Sequence, residues 1–313
     1  MRLALPAFAG LSAPVKGALL MTGAAVAFSG MIGLLRLATD ALHPFEVAFF
    51  RNLFGLVFML PWLMRTRFQG LHTERLGLHG LRALTGLAAM LMWFMALSLM
   101  PLGEAVALSF TTPLFVTIGA ALALGEVIRA RRISATLAGF AGMLIIVRPG
   151  VEAVQPAAML VIVSAVFAAC SALIVKSLSR TDHGNSIVTW MVVFLTPMSL
   201  VPALFVWQWP SLETVAVLFA MAGLATLGHI AFTRAMTRAD ISAVLPFEYL
   251  RLPMVALIGY LAFGEVMDPW AWAGAALIIA STLYIARREA VVARERRPHD
   301  PGPISAGSAK EKL

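Results

Sequence analysis

The sequence predicts an all-α integral membrane protein with ten transmembrane helices arranged as two inverted five-helix repeats. Three observations carry that expectation. The chain of 313 residues is 60% hydrophobic and only 13% charged, with a mean hydropathy of +0.87, whereas a soluble domain carries about 25% charged residues. Apolar runs separated by brief polar breaks fill nearly all of it. The tripeptide GEV closes an apolar run twice, at 125–127 and 264–266, 139 residues apart.

Crossing a bilayer as a helix takes about 17–25 apolar residues. The runs that approach this length are 17–35, 44–63, 83–100, 105–124, 133–147, 157–175, 186–207, 212–232, 241–263 and 270–286. The first follows Arg2 and Lys16 as a signal peptide would. It is longer than an h-region and has no small-x-small cleavage site, so it is expected to be retained. The fifth is short and is expected to start nearer Arg132. Breaks such as MPLGE, RPGVEAVQP and WQWPSLE delimit the others and are too short to hold a soluble domain. Barrel strands alternate polar and apolar residues, and these runs do not. The expected organisation is a cytoplasmic N-terminus (1–16), a first five-helix unit (17–150), a second (155–288) and a cytoplasmic tail (289–313). Pro298, Pro301 and Pro303 among polar residues give that tail a disordered composition.

The net charge is +8, and its placement decides what it means. With the N-terminus inside, the inner side holds Arg2, Lys16, Arg65, Arg67, Arg75, Arg82, Arg129, Arg131, Arg132, Lys176, Arg180, Arg234, Arg238 and the tail's basic residues. Arg36 and Arg148 fall outside, and Arg51 and Arg251 lie within runs. Basic residues gather on the cytoplasmic side, so both termini are expected there. Because the positive charge belongs to loop edges and not to one patch, nucleic acid is not an expected partner. Cys170, the single cysteine, excludes an internal disulfide or a cysteine metal cage and fits as a small apolar filler.

The two halves echo each other. TTPLFVTIGAALALGEV precedes the first GEV copy and RLPMVALIGYLAFGEV the second; AGFAGMLIIV (138–147) parallels AGAALIIAS (273–281). An odd number of helices per half makes the halves cross the membrane in opposite directions. That arrangement marks secondary transporters, whose substrate binds near midplane between the halves. The opposite charge after the two copies, an arginine cluster in one and Asp268-Pro269-Trp270 in the other, suits opposite faces.

An ionisable side chain in hydrocarbon is costly and raises a functional hypothesis. Glu248 and Arg251 in FEYLR lie about 12 and 16 Å into the membrane at 1.5 Å per residue. Their i,i+3 spacing places them on one face. They would neutralise each other when unoccupied and then engage a zwitterionic substrate; a structural ion pair is the alternative. Tyr249 sits about 100° round the helix from Glu248. Pro113 and Pro253, which precede their GEV glycines by 12 and 11 residues, are expected to kink both halves around one pathway. Thr111 and Thr112 either offer hydroxyls there or bond back to their own helix. Trp93, Phe94 and Trp190 lie within runs, where they would stack on a planar substrate, whereas Trp62, Trp207, Trp209 and Trp270 suit interfacial anchors. His229 is a proton carrier or a structural histidine. Glu46, near the outer interface, is expected to be solvated.

LHPFEVAFFRNLFGLVFMLPWL, ALSLMPLGEAVALSFTTPLFVTIGAALALGE and AGFAGMLIIVRPG resemble the EamA-type drug/metabolite transporters, over roughly Lys16 to Arg288. The resemblance implies ten helices in two inverted halves and transport of small metabolites or drugs. Arg51 would snorkel, pair with an acid on another helix or contact substrate; at a place where the family carries arginine irrespective of substrate, the resemblance implies a structural or gating role. FEVAFFR and the P-x-x-Y-L-x-L run from Pro246 to Leu252 look similar to transporters of amino-acid derivatives such as S-adenosylmethionine. The expected partners are a small-molecule substrate, membrane lipid and, as an open alternative, a second copy in a homodimer. No cofactor and no metal is expected. There is no P-loop, so transport would be secondary, with Glu248 the first candidate for proton coupling. A channel or a lipid-linked flippase shares the architecture; a membrane enzyme is disfavoured because no H-E-x-x-H or aspartate-rich motif occurs.

Overall fold

The computed structural model describes residues 13–65, 73–124, 130–148, 155–178, 181–182, 184–238 and 241–295. Every regular element among them is helical: α1 (Ala13–Ala41), α2 (Pro44–Arg65), α3 (Leu76–Leu99), α4 (Leu102–Ser109), α5 (Thr112–Leu124), α6 (Ala130–Val147), α7 (Pro156–Leu178), α8 (Gly184–Leu204), α9 (Leu212–Arg238), α10 (Ile241–Glu248), α11 (Arg251–Phe263) and α12 (Pro269–Glu295). Helices are what an apolar solvent permits, because each satisfies its own backbone polar groups. Six segments are long and apolar enough to cross a membrane, and three shorter apolar helices accompany them. Joining α4 with α5 and α10 with α11 yields ten spans, so the protein is a multi-pass membrane protein. The fifth helix begins at Ala130, close to Arg132, while α12 runs to Glu295, past the end of its apolar run. The tail beyond Glu295 and the first GEV copy lie outside the described residues.

Helix neighbours obey a simple rule. The first span packs along the eighth (α1 on α9), and the third along the sixth (α3 on α7). Adding five to each span number converts one pair into the other. The fifth and tenth (α6 on α12), the second and seventh (α2 on α8), and the two broken spans (α4 on α11) map onto themselves. The duplication read in the sequence is thus present in the packing, and five crossings per half make the repeat inverted.

Lipid tails supply no hydrophobic drive between helices, so close backbone approach does the joining. It is tightest between α6 and α12. A Cβ on Gly142 would lie 2.7 Å from the Gly274 carbonyl oxygen, and one on Gly274 would lie 2.5 Å from that of Gly142. Only glycine fits either place.

One end of the bundle is solid and the other hollow. At the end away from the termini, Leu35, Ala38, Leu42, Val47, Ala96, Leu97, Leu102, Ala203, Leu218 and Met267 belong to one continuous buried cluster. Polar bonds seal the same end. Gly264, at φ +66°, ends α11 in the left-handed conformation and turns Glu265 inward. That carboxylate accepts the Leu102 backbone N–H at 2.8 Å and meets Arg36 at 3.3 Å. Arg148 pairs with Asp268. Glu46 is fully buried, with Oε1 accepting the Gln208 N–H at 2.8 Å. The expectation of a solvated Glu46 is therefore corrected: its partner is a loop of the other half, out of reach of any local sequence signal. At the termini end the buried groups are small, Met21 with Ala235 and Val244, and Leu114 with Ala135 and Ile285.

Candidate functional site

Both broken spans break near the middle of their length, and each break has a local cause. Proline has no N–H for the carbonyl four residues back. For Pro113 that carbonyl belongs to Ser109, and the Thr112 hydroxyl bonds it at 2.8 Å. For Pro253 it belongs to Tyr249, and the Leu252 N–H takes it at 3.1 Å. The helices stop at Ser109 and Glu248 and restart at Thr112 and Arg251, which puts each proline in a first turn where its missing donor costs little. Thr112 thus bonds to its own helix and also faces the space beside it.

The two breaks face each other. The Phe110 and Tyr249 rings meet edge to face, centroids 4.9 Å apart. The Arg251 guanidinium lies 5.2 Å from the Phe110 centroid, within cation–π range. Glu248 reaches Arg251 at 3.9 Å, and Arg251 Nε is buried without a hydrogen-bond partner. The helix break, not the turn of a continuous helix, sets where Tyr249 points.

A cavity of about 760 Å³ opens beside these breaks and extends to the hollow end, well within the roughly 300–1,000 Å³ of small-molecule sites. Glu248, Tyr249, Arg251, Arg51, Thr112, Trp93 and Pro113 all line it. Pro253 occupies the matching place by its own break, but its side chain is exposed on the outside and does not line the cavity. Phe94 lines it as well, whereas Trp190 stacks on Phe194 at 5.3 Å instead.

Arg51 projects from α2 to His229 Nε2 on α9, at 3.1 Å, and to the Asn52 amide oxygen, also at 3.1 Å. Asn52 in turn donates to Ser199 Oγ on α8 at 3.1 Å. His229 meets the Phe28 ring edge to face at 5.1 Å. Glycine at 228 makes room, since a Cβ there would lie 2.8 Å from that ring. Arg82 was assigned from sequence to a loop edge. The structure places it inside α3 and on the cavity wall. The lining therefore carries three arginines, Arg51, Arg82 and Arg251, against one glutamate. Among the described residues no cluster of metal-ligating side chains occurs.

At the hollow end, Asp182 in the turn between α7 and α8 accepts hydrogen bonds from the Thr73 hydroxyl at 2.6 Å and from His79 Nε2 at 2.7 Å. These bonds, Thr73's foremost, hold its carboxyl down at about 2.

Comparison with known proteins places this architecture. The profile of the EamA-like transporter family matches residues 15–148 and 155–287. The chain is 35% identical to the riboflavin transporter of Vibrio cholerae serotype O1 over 289 residues, covering 91% of this chain and 97% of that one. It is 36% identical to the riboflavin transporter of Rhizobium johnstonii, covering 92% and 95%. It is 32% identical to the S-adenosylmethionine uptake transporter of Rickettsia bellii, covering 78% and 84%. A solved crystal structure superposes with a TM-score of 0.60 over 88% of this chain and 99% of its own, at 18% identity, which shows the fold alone. With a duplicated bundle, a central cavity and a family profile spanning both halves, the chain belongs to the EamA-like transporter family and is a transporter of small metabolites, not an enzyme.

Proposed function

We propose that the protein carries riboflavin, or a close heteroaromatic relative, across the bacterial inner membrane by alternating access, with both termini in the cytoplasm. The observation that carries this reading is the Glu248–Arg251 pair set beside the Phe110 and Tyr249 rings. A flavin ring ends in an imide edge, an N–H between two carbonyl oxygens. Glu248 supplies an acceptor for the N–H and Arg251 a donor for a carbonyl, one on each side of the helix break. Phe110, Tyr249, Trp93 and Phe94 supply apolar faces for the ring. Two of the relatives above carry riboflavin by name. S-adenosylmethionine, the other cargo among them, bears a net positive charge, and a cavity with three arginines and one glutamate disfavours it by like-charge repulsion. Basic residues at the termini end support the cytoplasmic assignment, and a cavity open to that end then makes this an inward-open state.

Riboflavin fluoresces, and stacking against aromatic side chains quenches it, so titration of the purified protein in detergent reads binding directly. Saturable quenching that excess S-adenosylmethionine does not reverse is expected. Absence of quenching, together with an increase in unfolding temperature on adding S-adenosylmethionine, would overturn the reading.

A further inference from the structure

Arg51 and Arg82 are cations placed within spans. Among the described residues neither has a carboxylate partner. Arg51 reaches Asn52 and His229. Arg82 reaches the Ile187 carbonyl at 3.4 Å, and its Nε is buried without a hydrogen bond. Arg51, Arg82 and His229 line the same cavity. Glu248, the one acid of the lining, is engaged by Arg251. A charge at this depth must face protein or water, and uncompensated guanidiniums facing a cavity attract an anion. Arginine's planar fork of donors matches phosphate and carboxylate oxygens.

We infer that Arg51, Arg82 and His229 form an anion subsite of the cavity, filled by a phosphate or carboxylate that the ligand carries or by a free inorganic anion bound beside a neutral ligand. The inference rests on the proposed flavin reading only for where the ring lies; the subsite itself rests on the uncompensated charges.

Two measurements on the full chain in detergent test it. The first is thermal unfolding in inorganic phosphate against chloride at matched ionic strength. The second is fluorescence titration with riboflavin and with riboflavin 5′-phosphate. If the ligand carries the anion, the phosphate ester binds about tenfold tighter than riboflavin, and the advantage shrinks as salt rises. Arg82→Gln removes that advantage and Arg82→Lys keeps part of it. If the anion is free, inorganic phosphate raises the unfolding temperature and tightens riboflavin binding, and Arg82→Gln abolishes both effects. Equal binding of the two flavins with no effect of inorganic phosphate overturns the subsite, and so does an equal loss of both flavins in Arg82→Gln. Should neither flavin bind while inorganic phosphate still stabilises wild type but not Arg82→Gln, the flavin reading fails and the subsite stands. If Arg82→Gln does not fold, Arg82→Lys and the wild-type phosphate response decide in the same way.

Discussion

Glu248→Gln separates recognition from folding. The ion pair it removes is long, 3.9 Å, and its two side chains are 23% and 20% exposed. Pairs of that quality contribute about 0.5 kcal/mol, which for a chain of this size shifts the unfolding temperature by less than about 3 °C. A hydrogen bond to a charged acceptor contributes about 1.5–3 kcal/mol, and a neutral amide oxygen keeps roughly half of it. The loss at the ligand is then about 0.8–1.5 kcal/mol, or about 4- to 13-fold in riboflavin affinity. Fluorescence titration reads the affinity, and a melting curve on the same preparation reads the stability. A fall of 10 °C or so in unfolding temperature with unchanged affinity would refute the reasoning and make Glu248–Arg251 a structural ion pair.

Three further outcomes follow from the geometry. Gly142→Ala forces a methyl against the Gly274 carbonyl, an overpacking cost of about 1–3 kcal/mol, so its melting temperature should fall by several degrees, whereas Gly23→Ala, with open space around it, should be nearly neutral. Glu265→Gln weakens the bonds to Arg36 and Leu102; a cysteine replacing the cavity residue Met31, in a Cys170→Ser background, should then react several-fold faster with an impermeant maleimide added from the sealed face. Asp182 binds its proton more weakly folded, near 2, than unfolded, at about 3.9. Its contribution is therefore present above about pH 4 and fades as pH falls towards 2, and Asp182→Asn should flatten the stability profile in that window.

Apolar length made the spans legible, since a membrane helix cannot hide its hydropathy, and the repeated GEV with its odd helix count made the inversion legible. The prolines pointed to the breaks but not to their place, because the helix gives way two to four residues earlier, where a carbonyl must find a substitute donor. Arg82 was obscured by its position immediately before the apolar run that begins at residue 83; seven more residues of helix, from Leu76, turn it from a loop charge into a cavity wall. The Arg51–His229 contact joins residues 178 apart, and the capture of Glu46 by Gln208 spans 162. Pairs of that separation belong to the packing of the halves and leave no local trace. Glu248, Arg251, Trp93 and Thr112 were legible because a polar or aromatic group in an apolar run has few places to go besides a cavity.

Proteoliposomes loaded with unlabelled riboflavin and diluted into a trace of radiolabelled riboflavin test carrier and cargo together. Transient, saturable accumulation of label that depends on internal riboflavin is the expected result, absent from empty vesicles and weakened in Glu248→Gln. Label entry at the same rate with or without internal riboflavin, or an ohmic conductance in the same membranes, would contradict alternating access.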